Sequence, residues 1–251
     1  MIYFVGAGSG APDLITVRGA RLLSEADVIV YAGSLVNPAL LDYKKDGCEV
    51  YNSAKMTLEE VIAVMAPAAK AGKTVVRLHT GDPCVYGAHR EQMDELDRLG
   101  LAYEVCPGVS SFCGAAATLK AEYTLPNVSQ SVILTRMEGR TPVPEKEQIE
   151  SFAAHGATMV IFLSAGQLAR LSERLIEGGY APDTPAAIVY KATWPDEKVV
   201  RTTVADLAAA GAREGITKTA LITVGGFLGT EYERSKLYDP TFTTGFREAS
   251  R

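Results

Sequence analysis

Leu78-His79-Thr80-Gly81-Asp82-Pro83-Cys84-Val85-Tyr86-Gly87 stands between Thr74-Val75-Val76-Arg77 and a stretch from Ala88 to Leu99 with apolar residues at helical spacing. The β-branched run after Gly72-Lys73 reads as a buried parallel strand, and Met93, Leu96 and Leu99 among charges read as an amphipathic helix. The decapeptide therefore lies where a strand hands over to a helix. In an open α/β sheet that is the carboxyl edge, where ligands bind. Gly81 lets a backbone come close to a ligand and Pro83 narrows the shapes open to Asp82. Asp82 is the acidic side chain of the loop, suited either to holding a hydroxyl or positive charge or to capping the next helix.

The same alternation runs through the chain. Ile2 to Val5 enters Gly6-Ala7-Gly8-Ser9-Gly10, and a helix is expected from Pro12 to Ser24. Strands are expected at Asp27–Tyr31, Glu49–Tyr51 and Tyr103–Val105, the last ending in Pro107-Gly108-Val109-Ser110-Ser111 before a small-residue helix from Phe112 to Leu119. Met56 to Lys70 is amphipathic, with Thr57 and Glu60 spaced as a capping box. The pattern breaks near Thr124-Leu125-Pro126-Asn127 and begins again. Strands are expected at Ser131–Thr135, Thr158–Leu163, Ala186–Tyr190, Lys198–Thr202 (paired back on its predecessor as a hairpin) and Ala220–Val224. Helices are expected at Gln148–Ala154, at Leu168–Ile176 with Gly178-Gly179 as its stop, and from a Thr203 cap through Ala210. This gives two consecutive α/β domains, 1–123 and 128–229, with a polar, loosely held tail over 230–251.

Composition narrows the function classes. The 251 residues carry a net charge of -5, which argues against nucleic acid as the main partner. A local basic cluster would still serve a small anion. No apolar run approaches the roughly 20 residues of a membrane span, and the first residues lack the pattern of a signal peptide, so a cytoplasmic location without membrane association is expected. Cys48, Cys84, Cys106 and Cys113 show no metal-ligand spacing, and no metal site is expected. The glycine loop after the first strand invites a dinucleotide reading. A second strand ending in Tyr31-Ala32-Gly33, without a carboxylate for a ribose, argues against a nicotinamide-dependent oxidoreductase.

Four loops at strand ends, Gly6–Thr16, Thr80–Tyr86, Pro107–Ser111 and Tyr190–Asp196, together resemble the tetrapyrrole (corrin and porphyrin) methyltransferases of class III. Val132 to Pro142 and Val189 to Glu197 look like the branch that methylates C-11 of precorrin-4, or its cobalt form, in cobalamin biosynthesis. Neighbouring branches methylate other ring positions. The first loop departs from its relatives, with Ser9 where Pro is common and Ala11 where Asp is common.

The resemblance implies S-adenosylmethionine as cofactor, leaving as S-adenosylhomocysteine, in an active-site cleft between the domains. By position it implies that Thr80, Gly81, Asp82, Val85, Tyr86, Ser110 and Ser111 bind the cofactor from the first domain. Leu163, Tyr190, Ala192, Ala220 and Leu221 do so from the second. It also implies a homodimer and an anionic tetrapyrrole substrate. Pro12 would border that substrate, and Arg18, Lys55, Arg90, Arg136, Arg140 and Lys191 stand where they could meet its carboxylates. Methyl transfer from a sulfonium disperses charge and needs alignment more than a strong base. His79, Asp82 and Glu138 are candidates for proton transfer, and solvent is the alternative. A non-catalytic tetrapyrrole carrier is the remaining rival.

Overall fold

The computed structural model describes residues 1–250. It divides into two compact units: Met1–Ala115 with Ala192–Asp196, and Ala116–Lys191 with the described residues from Glu197 onward. The division falls inside the helix that opens at Ser111, and a five-residue piece of the later sequence is counted with the first unit.

The first unit holds β1 (Ile2–Gly6), α1 (Val17–Glu25), β2 (Val28–Tyr31), β3 (Glu49–Asn52), α2 (Leu58–Lys70), β4 (Val75–His79), α3 (Arg90–Arg98), β5 (Tyr103–Cys106) and the start of α4 (Ser111–Leu119). Its strands form one parallel sheet in the order β3-β2-β4-β1-β5. Central strands are buried on both faces, so in β4 Arg77 and His79 are buried along with Val75, Val76 and Leu78. One face packs Leu22, Leu23, Ile29, Val76 and Leu78, and the other packs Phe4, Val30, Val61, Met65 and Leu96. Because every strand runs the same way, the loops after β1, β4 and β5 meet at one edge.

The helix expected from Pro12 is two pieces. Pro12–Leu14 is a single 3-10 turn, Ile15 is extended, and Thr16 then caps α1 by accepting from Gly19 N at 3.0 Å. A cap residue with a free hydroxyl three positions before an unpaired amide starts a helix better than a proline turn continues one. The Thr57–Glu60 box forms as expected, with Thr57 N donating to Glu60 at 2.8 Å and Glu60 N to Thr57 at 3.3 Å. Thr57→Ala should lower stability by about 1 kcal/mol, read as a fall of a few degrees in Tm.

The second unit holds β6 (Val132–Arg136), α5 (Ile149–Ala153), β7 (Thr158–Phe162), α6 (Leu168–Glu177), β8 (Pro185–Tyr190), β9 (Lys198–Thr203), α7 (Leu207–Arg213) and β10 (Ala220–Val224). The sheet order is β6-β7-β10-β8-β9. β6 and β7 are parallel, β10 is antiparallel to both β7 and β8, and β9 closes the edge as the expected hairpin. Thr203 does not cap α7: it is the last residue of β9, paired with Pro185, and Asp206 precedes the helix. One sheet face packs Met159, Ile161, Ile188 and Ile222 against Leu171, Leu175 and Leu207. The segment from Thr230 is polar only in part, since Tyr232, Leu237, Tyr238 and Phe246 are exposed. Arg247 holds it by donating to the carbonyls of Leu237, Asp239 and Phe242.

Candidate active site

In the first unit the site is built from backbone. Gly8 and Gly81 exchange amide hydrogen bonds of 3.2 and 3.0 Å, and Ala7 N donates to the carbonyl of His79 at 2.7 Å. The loops after β1, β4 and β5 cross where Gly6, Gly81 and Gly108 meet. A β-carbon on Gly108 would lie 2.2 Å from the Gly81 carbonyl oxygen, and one on Gly6 would lie 2.6 Å from Gly108 Cα. That spacing admits only glycine at both positions.

Asp82 fixes the crossing. One carboxylate oxygen accepts from Cys84 N at 2.8 Å, within its own turn, and the other accepts from Gly108 N at 2.8 Å in the neighbouring loop. Burial pushes its pKa up, but the bonds from Cys84 and Gly108 outweigh it and the carboxyl titrates below its usual range. Asp82 is thus both a turn residue and a staple between two loops. Thr80 donates to the Leu35 carbonyl at 3.3 Å, which ties in the loop after β2. Ser110 is buried, and its carbonyl accepts from Cys113 N as α4 begins at Ser111.

Val85 is half-buried, while Tyr86 is 46% exposed with φ of 55°. Ala88 follows at 47°, so two side-chain-bearing residues hold left-handed backbone within three positions. Each costs about 1 kcal/mol or more, a cost that persists only where neighbours over-determine the shape. Ala192, buried, is counted with this unit, as are Thr193 and Trp194. Thr193 accepts from Ala11 N at 3.0 Å and shares a 3.1 Å hydrogen bond with Ser9. The indole of Trp194 fills the place of a side chain at Gly10.

The second unit gathers its candidates along one sheet edge as well. Arg136 pairs with Phe162, just before Leu163, and Ala220 pairs with Tyr190. Lys191 N donates to the Thr219 carbonyl at 3.0 Å. Leu163, Lys191 and Thr219 all hold left-handed φ, of 52°, 46° and 56°. Leu163 is 62% exposed, an apolar side chain turned to solvent at a strained strand end. Ala220 and Leu221 are buried.

The basic candidates separate. Arg18, Lys55 and Arg140 are exposed, and their side chains make no hydrogen bond or ion pair among the described residues. Arg90 pairs with Asp94 at 2.7 Å. Arg136 donates to the carbonyls of Met137, Thr141 and Pro142 at 3.1, 3.3 and 2.8 Å, shaping its own loop. Lys191 Nζ lies 5.4 Å from the Tyr190 ring centre. Pro12, half-buried, opens the 3-10 turn after β1.

None of the three proton-transfer candidates is open: Asp82 and Glu138 have bonded partners, and His79 is buried with its Nε2 unpartnered among the described residues. His79 is buried against Phe4 and His89, and burial, with the nearby Arg77 and His89, pushes its pKa down to about 3. Glu138 pairs with Arg170 and accepts from Gln148 at 3.3 Å. Asp82 is occupied by the two amides.

Ser164, not among the sequence candidates, is fully buried, donates to Phe162 O at 2.7 Å and accepts from Met137 N at 2.9 Å, joining the loops after β6 and β7. Its place immediately after a buried strand was the available signal. No group of side chains suited to a metal ion occurs among the described residues, and none of their helices is long and apolar enough to cross a membrane.

A family model described as Tetrapyrrole (Corrin/Porphyrin) Methylases matches residues 1–208. The chain belongs to this family. As a tetrapyrrole methylase it is 54% identical over 251 residues to the cobalt-precorrin-4 C(11)-methyltransferase of Methanocaldococcus jannaschii, covering 100% of this chain and 97% of the relative. Among solved structures, the methylase superposes on the cobalamin biosynthetic enzyme cobalt precorrin-4 methyltransferase, CbiF, with a TM-score of 0.89 and 50% identity. That match covers 91% of this chain and 96% of the other. A uroporphyrin-III C-methyltransferase of Thermus thermophilus, complexed with S-adenosyl homocysteine, matches with a TM-score of 0.74 at 28% identity, covering 90% and 92% of the two chains.

Proposed function

We propose that this methylase transfers a methyl group from S-adenosylmethionine to C-11 of precorrin-4, in its cobalt or metal-free form, on the route to cobalamin. The observation that carries the reading is the end-to-end match, at 54% identity, to a relative named for that reaction. Both sheet edges support it. Thr80 to Tyr86 with Ser110 and Ser111 present backbone polar groups held by the Asp82 staple, and Leu163 with Tyr190 presents apolar surface beside the buried Ala220 and Leu221. Such a set fits a folded nucleoside: closely packed backbone at the loop crossing for its polar edge, an exposed leucine for its flat base. The reading takes both loop sets, with Ala192, to contribute to one bound cofactor, in a cytoplasmic homodimer.

S-adenosylmethionine supplies an electrophilic methyl on a sulfonium. The chain's task is to hold donor and acceptor carbon in line and keep water out, for which near-attack alignment is worth roughly 7–11 kcal/mol. Arg18, Lys55 and Arg140, exposed and unpaired among the described residues, are the cations open to substrate carboxylates. With His79 buried and Glu138 and Asp82 engaged, the proton lost from the methylated ring leaves to solvent.

Incubation with precorrin-4 or its cobalt complex and methyl-labelled cofactor should place the label on C-11, located by NMR. Label on another carbon, or none, overturns the assignment. Binding of NADH without response to S-adenosylhomocysteine would favour an oxidoreductase, and pigment binding without transfer a carrier. Leu163→Asp should weaken S-adenosylhomocysteine binding about tenfold, as an apolar contact of some 1.4 kcal/mol is lost. Its Tm should stay near the parent value, because the side chain is 62% exposed.

A further inference from the structure

Among the described residues, Arg77 is a buried cation without an acidic partner. It is 6% exposed, and its hydrogen bonds go to Gln92 Oε1 at 2.9 Å and to the carbonyls of Val30 and Leu78 at 3.2 and 3.4 Å. Gln92, 5% exposed, spends its amide differently: Nε2 donates to the Ala88 carbonyl at 3.0 Å. Ala88 ends the left-handed pair that begins at Tyr86. Gly87 is itself tight, since a β-carbon there would lie 2.1 Å from the Pro83 carbonyl oxygen. The strained end of the Thr80–Gly87 loop is thus hung on a fixed point in the sheet through one side chain.

We infer that Gln92 is a positioning residue for this loop, carrying the fixed place of Arg77 to the Tyr86–Ala88 turn and so setting cofactor affinity. The affinity half of the inference rests on the reading that the loop holds S-adenosylmethionine. A glutamine meets both demands with one amide, because its carbonyl accepts from a guanidinium while its NH2 donates to a peptide carbonyl. A carboxylate meets only the first. Burial lowers the Arg77 pKa to about 10, still high enough to keep the charge at neutral pH.

Gln92→Glu separates the two roles. It keeps the acceptor for Arg77 and turns that contact into an ion pair, but sets a carboxylate against the Ala88 carbonyl. The expected result is a Tm at or above the parent value, faster amide exchange over Val85–His89, and about tenfold weaker S-adenosylhomocysteine binding, the size of one lost hydrogen bond. In turnover, KM for S-adenosylmethionine should rise with kcat little changed. Gln92→Met, close in volume and lacking both bonds, is the second variant should Gln92→Glu fold poorly; it should show the same loop exchange with a lower Tm. Loop exchange unchanged from the parent in the folded variant overturns the inference whatever the affinity does. Faster exchange with unchanged affinity overturns the claim that this turn sets cofactor binding. A parent protein that ignores S-adenosylhomocysteine instead overturns the functional reading, and the exchange data then still decide the role of Gln92 in the loop.

Discussion

Gly108→Ala should be among the most damaging single methyls that can be added to this protein. The new carbon would sit 2.2 Å from the Gly81 carbonyl oxygen and 2.7 Å from Gly6 Cα, both backbone atoms with no rotamer to escape into. Relief requires the loops after β1, β4 and β5 to part, which breaks the Gly8–Gly81 bridge or the bond from Gly108 N to Asp82. Overpacking of this kind costs about 3 kcal/mol, or a Tm lowered by roughly 10 °C for a chain of this size. Activity should fall further than stability implies, by ~100-fold in kcat/KM, since small displacements at a positioning site are amplified in rate. Gly245→Ala, where nothing lies within 4 Å of the added carbon, is the control and should match the parent. A Gly108→Ala protein with parental Tm would mean the three loops are not packed backbone to backbone.

Asp82→Ala should follow closely. It leaves the amides of Cys84 and Gly108 without their acceptor, and hydrogen bonds to a charged group are worth about 1.5–3 kcal/mol each. A loss of about 3 kcal/mol is expected in denaturant titration at neutral pH. The pH dependence identifies the cause. The carboxyl titrates below its ordinary value in the folded protein, so its contribution is complete above the unfolded carboxylate pKa and disappears as pH falls through the lowered one. The gap between parent and Asp82→Ala should therefore be full at neutral pH and close only in acid, below about pH 4. A gap that does not change with pH down to 3 would mean that the lost interaction is steric rather than ionic.

The sequence carried the architecture well because its periodicities are long and its punctuation strong. The buried run before Gly81, the Thr57–Glu60 box, the hairpin at Lys198 and the Gly178 stop each rest on local chemistry and each recur in the structure. Misreadings came where local signals compete. Pro12 and Thr16 both open helices, and the hydroxyl at Thr16 captured the longer one. Thr203 was equally fit for a cap or a strand end, and pairing with Pro185 decided it. At the candidate site, residue positions could be read but not what their side chains already hold. Arg136 looks like a free cation in sequence, and its guanidinium is spent on three carbonyls. Gln92 is one polar residue in a charged helix, and its place one turn before Leu96 sets it on the buried stripe.

The assignment of Ala192–Asp196 to the first unit bears on how this polypeptide can be dissected. Thr193 and Trp194 complete the Ser9–Ala11 loop, yet ribosomal synthesis delivers them some 180 residues later. A genetic cut anywhere between the two units thus yields an amino-terminal fragment with its glycine loop unsheltered, and during translation that loop waits for most of the chain to emerge before it closes.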